Sequence, residues 1–474
     1  MLRQKISVLE EKRAHSQPLP SGCAPYTSSS FFKSQSPNSK PSAKRWDHRF
    51  SLDTQQLNAS VLKAAARTEN PAKIITLATG RPAAEFYPWA SMTLTGKESS
   101  CGKDEKMADM SCSAGESAYD LSVALNYGYA AGSPQALRFV TEHVELIHEP
   151  PYHDWECSLT CGTSSAIEIA LRMFCNRSDW VLVEEFTYSG TIDAIKAQGL
   201  NILGVKMDEC GLSPEDLDLK LSTWNTSTGK RPFVLYTIPS GQNPTGTTQD
   251  TERKRAIYEV AEKHDLYIIE DDPYYFLQLG DSSLQDGFSR TSIDEYFRDL
   301  PASYLSLDVS GRVMRLDTTS KILAPGLRCG WMTASSQVVD KFLAHTETST
   351  VSASGPSQVM LYKLLDETWG HRGFLEWLLH LSHQYRHRLN LLLDACQRYL
   401  PPEVCSWTIP TQGMIFAQSK RKGVLVSKGS WFGANRPRGR HVSFRMTFAA
   451  APQHALDEAV RKFGEAVREE FGVC

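Results

Sequence analysis

From Leu159 to Glu270 the chain alternates short apolar runs with helical patterns, and this alternation restricts its fold more than any other feature. The runs Trp180-Val-Leu-Val-Glu184, Asn201-Ile-Leu-Gly-Val205, Phe233-Val-Leu-Tyr-Thr-Ile238 and Leu266-Tyr-Ile-Ile-Glu270 are almost uninterrupted, as parallel strands covered on both faces require. Strands separated by helices predict an α/β fold with a mostly parallel, doubly wound sheet. Ligands of such sheets bind beyond the carboxyl ends of the strands. Four segments fall there: Glu185-Phe-Thr-Tyr188-Ser-Gly190, Pro239-Ser-Gly-Gln-Asn243-Pro-Thr-Gly246, Asp271-Asp-Pro-Tyr274-Tyr275, and the stretch from Arg315 to Trp331.

The last of these places Lys321 behind Thr318 and Ser320, with Arg328 seven residues on. A lysine that bonds covalently to a carbonyl needs its pKa lowered by desolvation or by a neighbouring cation, and Arg328 is a candidate for that cation. Hydroxyls and a forked guanidinium also suit a dianion. Upstream, Cys161-Gly-Thr163-Ser164-Ser165 opens a helix whose apolar stripe is Ile167, Ala170, Leu171 and Phe174. Thr163 reads as its N-cap, and the open amides of the first turn favour an anion. Taken alone, a lysine after a serine reads equally well as a solvated surface residue.

At 474 residues the chain exceeds one simple core and predicts a large domain with a smaller companion. Residues 1–44 are rich in Ser, Pro and Lys, a composition that predicts a disordered extension. Residues 45–96 read as a segment contributing to the small domain, with a helix at Leu62–Arg67, a strand at Ile74–Ala78 and a turn at Gly80, where backbone can approach a ligand. Residues 97–345 form the large domain. Within it, 97–118 read as a polar surface excursion, and the loop Leu125-Asn-Tyr127-Gly-Tyr-Ala-Ala-Gly132 precedes a helix patterned on Leu137, Val140, Val144 and Ile147. Residues 346–474 form the small domain. It is expected to hold helices at Phe374–Tyr399 and Ala455–Phe471, a hairpin of Met414–Ala417 with Gly423–Ser427, and a strand from His441 whose polar face carries Ser443 and Arg445.

A net charge of −3 gives no electrostatic case for nucleic acid or an anionic membrane. No apolar run reaches the roughly 18 residues of a membrane span. The eleven cysteines contain no Cys-x-x-Cys pair, so neither a zinc site nor a disulfide framework is indicated. His380, His383 and His387 share a helical face without a completing ligand, and no metal is expected. No Gly-x-Gly-x-x-Gly follows the first strands, which argues against a nucleotide-dependent dehydrogenase. The first 45 residues are too short and too rich in Ser and Pro for the winged helix of a transcriptional regulator. Reduced thiols and the absence of an apolar signal core point to the cytoplasm, with a mitochondrial address as the alternative.

Taken together, Asn243-Pro-Thr-Gly246, Asp271-x-x-Tyr274, Ser-Lys321 and the late Phe444-Arg445 resemble the class I pyridoxal-phosphate aminotransferases of fold type I, and among them the fungal aromatic-amino-acid and 2-aminoadipate enzymes. The resemblance covers about residues 46–474. It implies pyridoxal 5′-phosphate as cofactor and transfer of an amine from an aromatic amino acid or a 2-aminoadipate-like donor to a 2-oxo acid such as 2-oxoglutarate. It further implies that Lys321 bonds the cofactor and moves the proton, and that Asp271 pairs with the pyridinium nitrogen. Asn243 and Tyr274 would bond the ring hydroxyl, Tyr188 would stack on the ring, and Thr163, Ser164, Thr318, Ser320 and Arg328 would hold the phosphate. Gly80 would line the substrate pocket and Arg445 would clamp the substrate carboxylate. Tyr127 would reach the phosphate of a neighbouring subunit, implying a homodimer with shared sites. Two departures stand out. Leu57-Asn-Ala-Ser60 lacks the basic residue relatives carry, and the passage from Gly413 to Gly423 is shorter than theirs. A carbon–sulfur lyase or a specialised secondary-metabolism aminotransferase on the same scaffold is the alternative.

Overall fold

A computed structural model of the chain describes residues 2–34, 40–58, 80–98, 106–280, 292–417, 427–434 and 444–473. The expected helix at 62–67 and strand at 74–78 lie outside them. The large sheet is mixed and has seven strands, in keeping with the expected α/β class. Two compact units are built from interleaved stretches of chain, residues 1–176 with 303–377 and residues 177–302 with 378–474. These do not follow the boundaries expected at 96/97 and 345/346, because the chain passes from one unit to the other and back.

In the first unit, the strand Trp155–Thr160 pairs antiparallel with Gly330–Ser335, which pairs antiparallel with Val313–Thr318. Helix Pro134–His148 packs on the Trp155 strand. Ser133 caps it through its side chain and Pro134 occupies its first turn, where a missing N–H costs nothing. Helix Thr163–Phe174 buries Ile167, Ala170, Leu171 and Phe174 as the stripe predicts.

For its described residues, the segment 97–118 is corrected from a surface excursion to part of a two-stranded ribbon, Ser91–Lys97 antiparallel to Met107–Ser113, while 99–105 lie outside them. Its outward polar side chains gave the composition of a loop, while Cys112 on the opposite face enters a small core with Tyr119, Leu121, Val359 and Tyr362.

The N-terminal reading is also corrected, for its described residues. Leu2–His15 form a helix. The Arg13 guanidinium donates to Glu142 at 2.9 and 3.0 Å and pairs with Asp366 at 2.7 Å. Ser28 and the Ser29 amide donate to Glu156 at 2.6 and 2.7 Å, and Leu2, Leu9 and Phe32 are buried. Composition anticipates disorder when apolar burial is the only source of order. Here charge-assisted hydrogen bonds to buried carboxylates supply the rest.

In the second unit, Tyr267–Asp271, Val234–Thr237, Trp180–Glu184 and Asn201–Val205 form a parallel ladder in that order. This is the run of strands the alternation predicts. A second sheet orders Ile415–Ala417, Phe444–Thr447 and Ser427–Lys428 side by side. The expected hairpin is therefore corrected. Ile415–Ala417 and Ser427–Lys428 each pair antiparallel with Phe444–Thr447, which lies between them, while residues 423–426 of the expected second run lie outside the described residues. Helices Gly370–Tyr399 and Leu456–Phe471 match the long helical patterns.

Candidate active site

The first unit gathers the expected anion-binding residues. Gly162, not Thr163, is the N-cap of the twelve-residue helix, at φ 86° and ψ 163°, and no side chain caps its amides. That corrects the N-cap reading and moves Thr163 to the first helical position. Glycine is favoured there by its positive φ, and a Cβ would also crowd the Arg328 guanidinium, lying 3.1 Å from Cζ and 3.5 Å from Nη1. Arg328 itself adopts a left-handed conformation, φ 45°. It donates to Pro325 O at 2.9 Å and lies 3.5 Å from Ser320 Oγ.

Thr318 Oγ1 donates to Ser320 Oγ at 2.9 Å. Between them Thr319 binds Cys329 O through its hydroxyl, 2.8 Å, and its amide, 3.1 Å. Lys321 follows in a turn closed by Leu323 N–H on Thr319 O at 2.8 Å, and Trp377 Nε1 holds the adjacent Ile322 carbonyl at 2.7 Å. Among the described residues the buried Thr163 hydroxyl has no hydrogen-bond partner. Open amides at a helix start, a hydroxyl with no partner, two more hydroxyls and a guanidinium are donors suited to a phosphate.

The second unit gathers the residues expected around a ring and a substrate carboxylate. Asp271 ends its strand and is buried, 4% exposed. Tyr236, fully buried on the neighbouring strand, donates its hydroxyl to Asp271 Oδ2 at 2.5 Å. Burial first, and the Asp271 carboxylate second, push the Tyr236 phenol far above its ordinary range, so the hydroxyl stays a donor. Tyr274 shifts in the same direction for the same two reasons, countered in part by Arg445. Asp272, the other acid of the pair, takes a hydrogen bond from Ser240 at 3.2 Å. A buried carboxylate held by a phenol suits a partner that carries a proton on a heterocyclic nitrogen.

Arg445 donates from Nη1 to Asn243 Oδ1 at 3.0 Å and from Nη2 to Ser427 Oγ at 3.1 Å, and lies 4.9 Å over the Phe432 ring. Two edges and one face of the guanidinium are thereby seated. The Asn243 loop packs tightly on its neighbours: Gly241, at φ 49°, leaves no room for a Cβ against the Gln412 carbonyl. Tyr188 stands at the start of helix Ser189–Ala197, close enough to Tyr274 to influence its titration.

Two expected residues take no part in either cluster. Gly80 is exposed with nothing near its Cβ position, and Tyr127 is 62% exposed.

Sequence reading missed Tyr236, Ser427, Phe432 and Glu184. Tyr236 and Glu184 lie inside strand runs that read as core. Glu184 accepts from Thr237, Ile238 N, Gln242 and Thr187 at 2.7, 2.8, 3.1 and 3.1 Å. Burial nevertheless raises its pKa to about 7. A polar residue inside an otherwise apolar strand was the available signal.

The family model for aminotransferase class I and II matches residues 114–463. The chain belongs to this family. It is 48% identical over 460 residues to aminotransferase swnA of Arthroderma benhamiae, covering 90% of this chain and 92% of that one. It is 36% identical over 464 residues to an aromatic amino acid aminotransferase of Schizosaccharomyces pombe, covering 90% and 98%. The crystal structure of aminotransferase Aro8 from Candida albicans superposes with a TM-score of 0.85 at 34% identity, covering 92% of this chain and all of the other. At greater distance, the α-aminoadipate aminotransferase LysN of Thermus thermophilus, solved with N-(5′-phosphopyridoxyl)-L-leucine, matches at 25% identity and a TM-score of 0.61, over 74% and 85%. Class I aminotransferases work with pyridoxal 5′-phosphate; the chemistry of the first unit's donor set suits a phosphate, and that of the second unit's buried carboxylate suits a protonated ring nitrogen. The protein is an aminotransferase, catalysing transamination between an amino acid and a 2-oxo acid.

Proposed function

We propose that the amino donor is an aromatic amino acid, with 2-aminoadipate as the next class and 2-oxoglutarate as acceptor. The reading rests on relatives whose names carry aromatic and α-aminoadipate aminotransferase activity. The observation that carries the amino-acid part is the seat of Arg445. A guanidinium fixed by Asn243, Ser427 and Phe432 presents its remaining donors to a carboxylate with little entropy left to lose.

The cofactor, when bound, supplies a sink for the electron pair left when the α-proton departs. The residues then divide the work. Asp271, oriented by Tyr236, keeps a proton on the ring nitrogen. Asn243 and Tyr274 would bond the ring hydroxyl, and Tyr188 would stack on the ring. The Thr163 and Ser164 amides with Thr318, Ser320 and Arg328 bind the phosphate. Lys321 Nζ would hold the cofactor covalently, and its free amine would move the proton at Cα. Gly80 lines the substrate pocket. The assembly is a homodimer in which Tyr127 reaches the neighbour's phosphate; its outward exposure supports that role. Free thiols at all nine described cysteines support a cytoplasmic location. No helix among the described residues is long and apolar enough to cross a membrane.

A donor panel of the twenty amino acids and 2-aminoadipate, with 2-oxoglutarate and glutamate as the readout, tests this. Highest kcat/KM for phenylalanine, tyrosine or tryptophan is the expected result. Aspartate or alanine ahead of all three refutes the donor class. Release of ammonia and pyruvate from a sulfur amino acid, without glutamate, would favour the lyase alternative.

A further inference from the structure

We propose that Cys161 and Cys329 are a modification site, a cross-strand dithiol whose oxidation to a disulfide loosens the phosphate cradle. Nothing in the transamination chemistry uses either thiol. The inference rests on the cofactor reading above, since the cradle is what the disulfide would disturb.

The pairing follows from register. In the antiparallel ladder Thr160 faces Gly330, Leu159 faces Trp331 and Cys157 faces Thr333, so the next pair outward is Cys161 with Cys329. That pair is bracketed by contacts on both sides. A Cβ on Gly330 would lie 3.2 Å from Thr160 Oγ1, and a Cβ on Gly162 would overlap the Arg328 guanidinium. Side chains of this parity meet across the strands, as Cys157 Sγ and Thr333 Oγ1 do at 3.5 Å.

Amide directions identify the kind of pair. Cys157 N–H turns outward to Ser29 Oγ at 2.8 Å, and Leu159 N–H to Ala131 O at 2.8 Å. Cys329 O turns the other way, to Thr319. Residues of this parity are therefore non-hydrogen-bonded pairs, in which facing Cα atoms approach to about 4.5 Å and side chains lie closest. A disulfide spans Cα separations of about 4.4–6.8 Å. Both thiols are free in the structure.

Cys161 is half-buried and Cys329 fully buried. Burial, and then the neighbouring Cys161, push the Cys329 thiol up to about 12, so Cys161 is the first to react. With hydrogen peroxide as oxidant, Cys161 sulfur attacks one peroxide oxygen, the O–O bond breaks, and water leaves as Cys161 becomes a sulfenic acid. Cys329 sulfur then attacks that sulfur, the S–O bond breaks, and a second water carries off the Cys329 proton. With hydrogen peroxide two thiols and one peroxide give one disulfide and two waters, two electrons passing from sulfur to oxygen.

The new bond lies one residue from each half of the anion site, Gly162 on one strand end and Arg328 on the other. Drawing the two Cβ atoms to about 3.8 Å moves both halves at once.

The test uses the holoenzyme, freed of reductant and treated with hydrogen peroxide. Chymotryptic cleavage at Leu159 separates Cys157 from Cys161, so mass mapping identifies the bond. Cofactor affinity is read from visible absorbance retained through serial dilution. The expected result is a Cys161–Cys329 crosslink, cofactor affinity lower by about tenfold or more, and recovery with dithiothreitol. Cys161→Ser, and separately Cys329→Ala, should keep the reduced protein's affinity under peroxide. A folded protein that forms no such crosslink overturns the proposal, as does a crosslinked protein of unchanged affinity. Reduced protein that takes up no pyridoxal phosphate overturns the cofactor reading and the proposal together, and only that failure appears before any peroxide is added.

Discussion

Replacing Gly162 with alanine isolates the phosphate cradle from the rest of the chemistry. Gly162 sits at φ 86° and ψ 163°, a region open essentially to glycine alone, and a side-chain-bearing residue there costs about 1–3 kcal/mol. The added methyl also enters the space of the Arg328 guanidinium. Arg328 is exposed and can swing away, so the protein should fold, but its contact with the cofactor phosphate is then lost. A hydrogen bond to a charged group contributes about 1.5–3 kcal/mol, which corresponds to a loss of roughly 10- to 150-fold in cofactor affinity. Urea unfolding of the apo protein reports the backbone cost, and titration with pyridoxal phosphate followed by absorbance reports the affinity. A Gly162→Ala protein that binds the cofactor within about twofold of the parent would refute the assignment of this helix start to the phosphate.

Tyr236→Phe removes the donor to Asp271. At about 1.5–3 kcal/mol for a hydrogen bond to a carboxylate, kcat should fall at least about tenfold with KM for the donor little changed, measured by steady-state kinetics. Glu184 has its pKa raised from 4.5 to about 7. Its contribution is fully present below pH 4.5 and lost as pH rises to about 7, because the unfolded state gives up its proton first. The parent protein should therefore lose about 3 kcal/mol relative to Glu184→Gln across that window, read from urea unfolding at a series of pH values. Arg13→Ala leaves Glu142 and Asp366, both buried, without that cation. Breaking such pairs costs about 3–5 kcal/mol, and limited proteolysis should then cut within residues 1–34 faster than in the parent.

The strand ladder of the second unit and the loops at its end were legible because each lies in a short stretch whose pattern is local. Lys321, Arg328, Asp271 and Asn243 stand out as polar residues in segments that follow apolar runs, and Arg445 as one on the polar face of an alternating strand. Gly162 did not, since its φ of 86° and its proximity to a guanidinium 166 residues further on appear only in the folded chain. Tyr236 lay hidden because a tyrosine inside an apolar strand reads as packing until its hydroxyl is seen against Asp271. The same limit produced the mistaken hairpin. Two neighbouring apolar runs imply each other as partners, and nothing local reveals that Phe444–Thr447 intervenes. The N-terminal helix was misjudged because its anchor, Arg13, finds its carboxylates on residues 142 and 366. Long-range charge pairing leaves no trace in composition.

Borohydride reduction of the protein loaded with pyridoxal phosphate, followed by peptide mass mapping, tests the central assignment most directly. One phosphopyridoxyl group per chain, on Lys321, is the expected result. A group fixed to any other lysine, or none at all in protein that has bound the cofactor, would contradict it.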